Sequence, residues 1–384
     1  MSEEALTLHK KYKGKLSVDS KVPFTEENLN LVYTPGVGSV SSAIAEDTKK
    51  VYDYTIKGNT VAIVSDGTAV LGLGDIGPEA ALPVMEGKAL LLKELAGVDG
   101  FPICLDTKDE QEIITAVKAI APVFGAINLE DIAAPKCFAI EKALQDIGIP
   151  VMHDDQHGTA VVTLAGLINA CTVTGKTFEE LNVVISGAGA AGTAIANLLL
   201  CVGHDAKLCK GVHNIVLCDS KGIISKERTD LNEEKQKLAS ITNNDNKTGT
   251  LQEALVDADV FIGVSAPNIV TQEMIKGMAD KPLVFAMANP IPEIMPEDAL
   301  AAGAAVVATG RSDFPNQVNN ALAFPGIYKG LLDAQATTIK HDVFLAAANA
   351  LAATCTNPTA TMILPSLFDK NLTPAIAKAV QAVA

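Results

Sequence analysis

The chain has 384 residues, of which 48 % are hydrophobic and 20 % are charged, a globular composition with enough core for two domains. Its formal net charge is -15, so it repels phosphate backbones and anionic lipids, and neither nucleic acid nor membrane is expected as a partner. The charged N-terminus has no features of a secretory signal, and no apolar run is as long as a membrane span. The seven cysteines include no C-x-x-C pair. We therefore expect a cytoplasmic protein with reduced thiols and no disulfide framework.

Short apolar runs, each followed by a polar residue and a longer helical stretch, form the dominant pattern. Such runs are typical of strands buried on both faces, and the helices between them make these strands parallel. The runs are Val61–Val64, Phe101–Leu105, Phe124–Ile127, Ile149–Met152, Asn182–Ile185, Asn214–Cys218, Asp259–Ile262, Leu283–Met287 and Ala305–Ala308. The pattern predicts an α/β protein of two doubly wound domains, residues 1–157 and 158–384, with ligands bound in the cleft between them. We expect the polar stretch from Lys226 to Lys247 to be a surface excursion of the second domain.

The motif G-x-G-x-x-G, whose glycines let the backbone approach a pyrophosphate, occurs twice. The first copy, Gly72–Gly77, is followed by Pro78 and contains Asp75, whose carboxylate would oppose a phosphate. The second copy follows a clean strand and opens an apolar helix, so its amides and helix dipole suit a dinucleotide. Its residues are Gly187, Ala188, Gly189, Ala190, Ala191 and Gly192. The second domain is therefore predicted to be a Rossmann-type domain with the cofactor on this turn.

The strand after this turn ends at Asp219, in position to accept hydrogen bonds from a ribose hydroxyl. A carboxylate at this place repels a 2′-phosphate, which favours NAD over NADP. Lys221 lies two residues further on and could reverse that preference. NAD is the expected cofactor, and NADP stays possible.

Three carboxylates, those of Glu130, Asp131 and Asp155, lie at the ends of apolar runs in the first domain. Hard oxygen ligands without Cys or clustered His suit Mg²⁺ or Mn²⁺. The alternative is that these residues are helix caps and surface acids. Adjacent strand residues point to opposite faces, so Glu130 and Asp131 share a metal only if the chain turns there.

Lys88 and Tyr33 are the candidate acid–base residues of the first domain. Lys88 lies within an apolar stripe at helical spacing, where it either snorkels to the surface or lies in a partly dry pocket. Desolvation in such a pocket would lower its pKa and let it act as a base. Tyr33 stands just before a turn forced by Pro35 and Gly36, where it either serves as an acid or packs in the core.

Taken together, these segments resemble the malic enzymes, specifically their short bacterial-type form. The matching segments are Tyr33–Val37, Ser65–Gly77, Met85–Lys88, Asn128–Ile132, His153–Thr159, Ala288–Pro290 and Asn316–Gly326. The resemblance runs from about residue 15 to the C-terminus. It also indicates that the first glycine motif is not the cofactor turn.

The resemblance implies oxidative decarboxylation of L-malate to pyruvate and CO₂ with reduction of NAD(P), in a homodimer. It implies that Mn²⁺ or Mg²⁺ is held by Glu130, Asp131 and Asp155. Lys88 would be the general base on the C2 hydroxyl, oriented by Asp154, and Tyr33 would protonate the enolate. Asn289 would contact substrate and nicotinamide, and one of Asn319 and Asn320 would contact substrate.

The chain departs from the long eukaryotic-type members of this family at Ala69, where they carry an arginine that holds the substrate carboxylate. Some other group must bind that carboxylate here. Arg311 follows a predicted strand near the asparagines and is our hypothesis for the replacement, with a structural ion pair as the alternative.

Two other functions compete with this prediction. The first is a malolactic-type activity, in which bound NAD is recycled and lactate leaves. The second is a non-catalytic nucleotide sensor on the same fold, which would have no need of Lys88, Tyr33 and three metal carboxylates.

Overall fold

The computed structural model describes residues 3–205, 207 and 209–384. In this part of the chain, ten strands form a four-stranded and a six-stranded sheet. The strands are β1 Thr60–Ser65, β2 Asp99–Cys104, β3 Ala126–Leu129, β4 Val151–His153, β5 Asn182–Ser186, β6 Asn214–Asp219, β7 Gly222–Ile223, β8 Val260–Gly263, β9 Leu283–Ala286 and β10 Val306–Thr309. The helices are α1 Glu3–Tyr12, α2 Glu26–Val32, α3 Gly36–Glu46, α4 Val51–Tyr54, α5 Pro78–Ala96, α6 Glu110–Ile120, α7 Lys136–Ala143, α8 Asp154–Thr174, α9 Ala190–Leu199, α10 Glu233–Ile241, α11 Leu251–Leu255, α12 Gln272–Lys276, α13 Pro296–Ala301, α14 Phe324–Asp333, α15 His341–Thr354 and α16 Leu372–Gln381.

The first sheet has the order β2-β1-β3-β4, and all of its strand pairs are parallel. Strands β1, β3 and β4 are buried along their whole length, as their apolar sequences predict. The prediction of burial on both faces is wrong for β2, an edge strand that is half-buried along its whole length. The carboxyl ends of these strands carry the residues of the candidate site.

The second sheet has the order β10-β9-β8-β5-β6-β7. Strand order reverses beside β5, since the chain passes first to β6 on one side and later to β8 on the other. Such a reversal is where dinucleotides bind in open α/β sheets. The edge strand β7 pairs with β6 in the antiparallel direction and has only two residues, too few for an apolar run to reveal it in the sequence. The fold is thus the predicted α/β architecture with a Rossmann-like second sheet.

Helix α8 joins the two sheets and continues without interruption across the predicted domain boundary. Its length and composition would allow it to span a membrane, but 67 % of its apolar window is buried inside the protein. It packs in an apolar core to which both sheets contribute, for example through Val61 and Ile185. The site at its N-terminus is therefore built into the centre of the protein.

Helices α1, α2 and α3 contrast with α8 because none of their residues is buried. Apolar side chains on this N-terminal arm, which we define as residues 3–46, lie open to solvent; Phe24 is 88 % and Leu31 is 66 % exposed. Helix stability in proteins comes mainly from burial of an apolar face, which this arm lacks in the single chain.

Cys201 and Cys209 form a disulfide, with their Cα atoms 5.7 Å apart. This contradicts the expectation that the cysteines are all reduced. Cys201 follows the end of α9 with a left-handed backbone (φ 57°). The other five cysteines are free thiols.

Candidate active site

The candidate site lies at the carboxyl ends of β3 and β4, where the first sheet meets the second. A cavity of about 710 Å³ opens here, lined by the acidic residues, Lys88 and the asparagines singled out above. This volume is within the ordinary range for a small-molecule site.

Glu130, Asp131 and Asp155 offer carboxylate oxygens that all lie within 4.8 Å of one another. The chain turns between the first two because Asp131 adopts a left-handed backbone (φ 54°), which lets adjacent residues face the same point. The Asp131 amide donates to Asp155 Oδ2 at 2.9 Å, which joins the end of β3 to the start of α8. The carboxylates that were predicted at separate strand ends thus form one cluster.

The cluster fits a hard divalent cation. Asp131 Oδ2 is buried and has no hydrogen-bond partner among the described residues. Burial and the neighbouring Asp155 carboxylate raise the pKa of Asp131 to about 7. A buried group of like charges with an unpaired oxygen is stable when a cation compensates it, and all-oxygen ligands suit Mg²⁺ or Mn²⁺.

Lys88 projects from α5 into this cluster, and it is buried, with 9 % of its surface accessible. Its ammonium lies 2.5 Å from Asp154 Oδ2 and 2.9 Å from Glu130 Oε1. Burial alone would lower the pKa of Lys88, but the carboxylates of Asp154 and Glu130 outweigh burial and raise it. The sequence led us to expect a lowered pKa for Lys88. That lowering is absent while carboxylates are the only ionic partners of the Lys88 ammonium.

Asp154 is completely buried at the first turn of α8, and its Oδ1 has no hydrogen-bond partner among the described residues. Room for this carboxylate exists because residue 158 is glycine; a Cβ there would lie 1.9 Å from Asp154 Oδ1. The other oxygen of Asp154, Oδ2, holds the Lys88 ammonium.

Helix α14 supports this arrangement from the second half of the chain, which the sequence did not indicate. Phe324 places its ring 4.7 Å from the Lys88 ammonium. One helical turn later, the buried Tyr328 hydroxyl lies 3.1 Å from Asn128 Oδ1. Asn128 Nδ2 in turn donates to Glu130 Oε2 at 2.8 Å. This hydrogen bond orients the carboxylate of Glu130, which is a candidate metal ligand.

The glycine turn Gly187–Gly192 joins β5 to α9 in the geometry expected of a phosphate-binding turn. Gly187 has φ 115°, and a Cβ there would lie 2.5 Å from the Val264 carbonyl oxygen. A Cβ on Gly192 would lie 1.8 Å from the Gly187 carbonyl oxygen. The space above Gly189 is open, which leaves room for a pyrophosphate near the start of α9.

A second cavity, of about 830 Å³, is lined by this turn and by Asp219. Ser265 lines both cavities, so the two adjoin at the carboxyl end of β8. The turn and Asp219 therefore line one cavity, which adjoins the cavity of Lys88.

Asp219 is held by two cations that the sequence did not suggest. Arg228 donates from its two terminal nitrogens to the carboxylate at 2.7 and 3.1 Å, and Lys235 donates at 2.6 Å. Burial alone would raise the pKa of Asp219, but Arg228 and Lys235 lower it to about 2. Both cations come from the stretch predicted to be a mere surface excursion, where a sequence shows only polar character.

Asn289, Asn319 and Asn320 all line the cavity that contains Lys88. The first glycine motif packs against this group, since a Cβ on Gly72 would lie 2.1 Å from the Asn289 carbonyl oxygen. Because Gly72 has no Cβ, the backbone of the first half of the chain can lie close to the backbone of Asn289 in the second half.

Two predicted residues are not brought into the cavity. Tyr33 is 67 % exposed at the end of α2 and does not line the cavity of Lys88. Arg311 pairs with Asp313 at 2.5 Å and donates to the Pro290 carbonyl at 3.2 Å. Its neighbour Gly310 lines the cavity, but Arg311 does not.

Fold and site together define a dinucleotide-binding protein with a buried lysine and an acidic cluster at the junction of its two sheets. The sequence model described as "Malic enzyme, N-terminal domain" matches residues 13–145 of the chain. The model described as "Malic enzyme, NAD binding domain" matches residues 156–384. The chain belongs to the malic enzyme family.

Two relatives share 56 % identity with the chain. The "Bifunctional malic/malolactic enzyme" of Bacillus subtilis aligns over 99 % of this chain and 92 % of its own length. The "NAD-dependent malic enzyme" of Geobacillus stearothermophilus aligns over 96 % of this chain and 76 % of its own length. Among solved structures, the NAD-dependent malic enzyme of Thermotoga maritima has a TM-score of 0.93 at 50 % identity and covers 99 % of both chains.

Proposed function

We propose that this chain catalyses the oxidative decarboxylation of L-malate to pyruvate and CO₂ with reduction of NAD(P). The observation that carries the proposal is the buried Lys88, held between Asp154 and Glu130 beside a cluster suited to a divalent cation. The cofactor cavity shares Ser265 with the cavity that Lys88 lines, and hydride transfer from a bound hydroxy acid requires two such adjoining sites.

Lys88 is the base in the proposed mechanism and accepts the proton of the C2 hydroxyl. Asp154 fixes the position of its ammonium at 2.5 Å, and Phe324 covers one side of it. A dinucleotide bound at the Gly187–Gly192 turn would supply the hydride acceptor for C2. A divalent cation held by Glu130, Asp131 and Asp155 would supply Lewis-acid chemistry and would offset the carboxylate charge that raises the Lys88 pKa. Loss of CO₂ then leaves an enolate, which Tyr33 protonates at C3.

The cation in this proposal is Mn²⁺ or Mg²⁺, with Glu130, Asp131 and Asp155 as its protein ligands. Asn289 and one of Asn319 and Asn320 contact the substrate, supported by the position of all three in the cavity lining. The two domains proposed from the sequence, residues 1–157 and 158–384, then contribute the metal cluster and the dinucleotide turn respectively.

NAD is the proposed preferred cofactor. Asp219 lines the cofactor cavity as an ionised carboxylate, which accepts bonds from ribose hydroxyls and repels a 2′-phosphate. Relatives include both NAD-dependent and NADP-dependent malic enzymes, so the choice depends on local residues rather than on the family.

The working protein is proposed to be a cytoplasmic homodimer in which the N-terminal arm is covered by a second copy. The arm has three helices without a buried residue, which a partner surface would stabilise. Tyr33 lies on this arm away from Lys88, so we propose that each chain supplies Tyr33 to the site of its partner. Light scattering coupled to gel filtration tests the dimer, and a monomer at micromolar concentration would contradict it.

The malolactic alternative differs only in the fate of the hydride, which returns to pyruvate before the product leaves. One of the relatives carries that activity in its name together with the malic activity. Assays with L-malate, Mn²⁺ and either NAD or NADP distinguish the two functions. Free NADH and pyruvate in equal amounts support the proposal, lactate without free NADH supports the alternative, and no turnover supports a nucleotide sensor.

A further inference from the structure

Malate carries two carboxylates, and the cavity proposed to bind it is lined by three further carboxylates, those of Glu130, Asp131 and Asp155. A cation in the acidic cluster offsets part of this charge, but a dianion bound beside it needs a second positive partner. Among the described residues, the cationic side chains that line this cavity are Lys15 and Lys88.

Lys88 is already engaged, since Asp154 and Glu130 both lie within 2.9 Å of its ammonium. Arg311 lies outside the cavity lining and pairs with Asp313. Ala69, which does line the cavity, brings no charge. Lys15 remains as the cation available to an incoming anion.

Lys15 is positioned by the helix that carries the base. Its backbone amide donates to Glu86 Oε2 at 3.1 Å, and Glu86 stands two residues before Lys88 on α5. Gly14 has φ 107° and packs against the same carboxylate, where a Cβ would lie 3.0 Å from Glu86 Oε1. The backbone of Lys15 is thereby fixed beside the cavity wall formed by α5.

The Lys15 ammonium has a neutral partner in the structure, the Pro83 carbonyl at 2.6 Å. None of the ion pairs in the described part of the chain involves it, and the residue is half-buried. An ammonium without a carboxylate partner gains more from an incoming anion than a lysine that is already paired.

We propose that Lys15 binds the substrate carboxylate that is retained in pyruvate. This inference rests on the proposed malate activity. The retained carboxylate is favoured because a cation on the departing carboxylate would stabilise the ground state and oppose loss of CO₂. Pyruvate carries only the retained carboxylate, so it reports on this contact separately from malate.

Steady-state kinetics of Lys15→Ala and Lys15→Arg test the assignment. In Lys15→Ala, KM for malate and the inhibition constant of pyruvate should both rise by about 10- to 100-fold, the effect of losing a hydrogen bond to a charged group. The value of kcat should change by less than about threefold, because the contact is made in ground and transition states alike. Lys15→Arg should restore most of the affinity, which a purely structural role would not explain.

Lys13→Ala is the matched control, since Lys13 is exposed on the same segment and does not line the cavity. Its kinetic constants should equal those of the unsubstituted chain. An unchanged KM in Lys15→Ala, or a raised KM with an unchanged pyruvate inhibition constant, would overturn the assignment while malate turnover stands. A raised KM in Arg311→Ala alone would move the contact to Arg311. Absence of NADH formation by the unsubstituted chain would contradict the proposed function itself.

Discussion

Lys88 and Tyr33, the two residues proposed to exchange protons with the substrate, lie in regions of opposite character. Lys88 is 9 % exposed, and the helices around it belong to a core that joins both sheets. Tyr33 is 67 % exposed on the N-terminal arm, whose three helices bury no residue. One chain therefore preorganises the base and the metal cluster, whereas the acid depends on what covers the arm.

The largest expected effect tests this difference directly. Lys88→Met and Tyr33→Phe should each reduce kcat by about a thousandfold or more, because each removes a proposed acid–base group. If Tyr33 serves the partner's site, a mixed dimer of the two variants contains one complete site. Co-refolded equal mixtures should then recover about a quarter of the activity of the unsubstituted protein.

The controls for this experiment are each variant refolded alone and a mixture of Lys88→Met with the unsubstituted chain. A mixture of the two variants that stays as inactive as either alone would show that Tyr33 acts on its own chain. Tyr33 would then reach Lys88 of its own chain by a movement of the N-terminal arm, and a second copy of the chain would not be needed.

The second effect concerns the buried cluster alone. In the metal-free protein the pKa of Asp131 is raised from 3.8 to about 7, so between these values the folded chain holds a proton that the unfolded chain has lost. The free energy of unfolding should therefore fall as pH rises through this window, by about 2–4 kcal/mol. Metal binding displaces this proton, so affinity for Mg²⁺ should weaken as pH falls below about 7.

Thermal unfolding with a chelator and with Mg²⁺, at about pH 5.5 and about pH 8, measures both trends. Asp131→Asn is the matched variant, because it keeps the shape of the side chain and removes the titrating group. It should weaken the pH trend, of which Glu130 and Asp154 keep a part because burial also raises their pKa values, and it should lose most of the stabilisation by Mg²⁺. Equal stabilisation by Mg²⁺ at both pH values would contradict the prediction.

The contrast between the regions also explains what the sequence could predict. All nine apolar runs overlap strands of the structure. They were recognisable because a parallel strand covered on both faces consists mostly of consecutive apolar residues. The acidic cluster was predictable because parallel strands end at one edge of a sheet. The position of Tyr33 was not, since Pro35 and Gly36 specify a turn but say nothing about which surface covers it.

Contacts between distant residues were likewise missed. The Tyr328 hydroxyl lies within hydrogen-bonding distance of Asn128, which is 200 residues away in the sequence, and no local sequence pattern indicates such a pair. Arg228 and Lys235 stand in a polar stretch whose sequence gives only solvated character, yet they hold Asp219. Cys201 and Cys209 form a disulfide that cysteine spacing alone did not indicate.

A third, smaller effect should appear at Asp219 in the cofactor cavity. Asp219→Asn removes the charge that opposes a 2′-phosphate and frees Arg228 and Lys235, which the carboxylate now engages. The ratio of the dissociation constants for NADP and NAD should therefore fall by about 10- to 100-fold. Asp230→Asn is the control, since Asp230 also pairs with Arg228 but does not line the cavity. A parallel loss of affinity for both cofactors would show that Asp219 has only a structural role.

The smallest effect separates the central site from its support. Tyr328→Phe removes a hydroxyl that lies 3.1 Å from Asn128 Oδ1, while Asn128 still donates to Glu130. Loss of one net hydrogen bond costs about 1 kcal/mol, so the dissociation constant for Mg²⁺ should rise by about three- to tenfold. Tyr54→Phe is the control because that tyrosine is 54 % exposed and does not line the cavity of the cluster, so the Mg²⁺ affinity of this variant should not change. If Tyr328→Phe lowers the melting temperature but leaves Mg²⁺ binding intact, α14 stabilises the junction between the sheets without orienting Glu130. Packing, and not the hydrogen bond of Tyr328, would then keep the residues of the buried region in position. The buried region and the exposed arm would in that case differ in burial and not in how hydrogen bonds align their side chains.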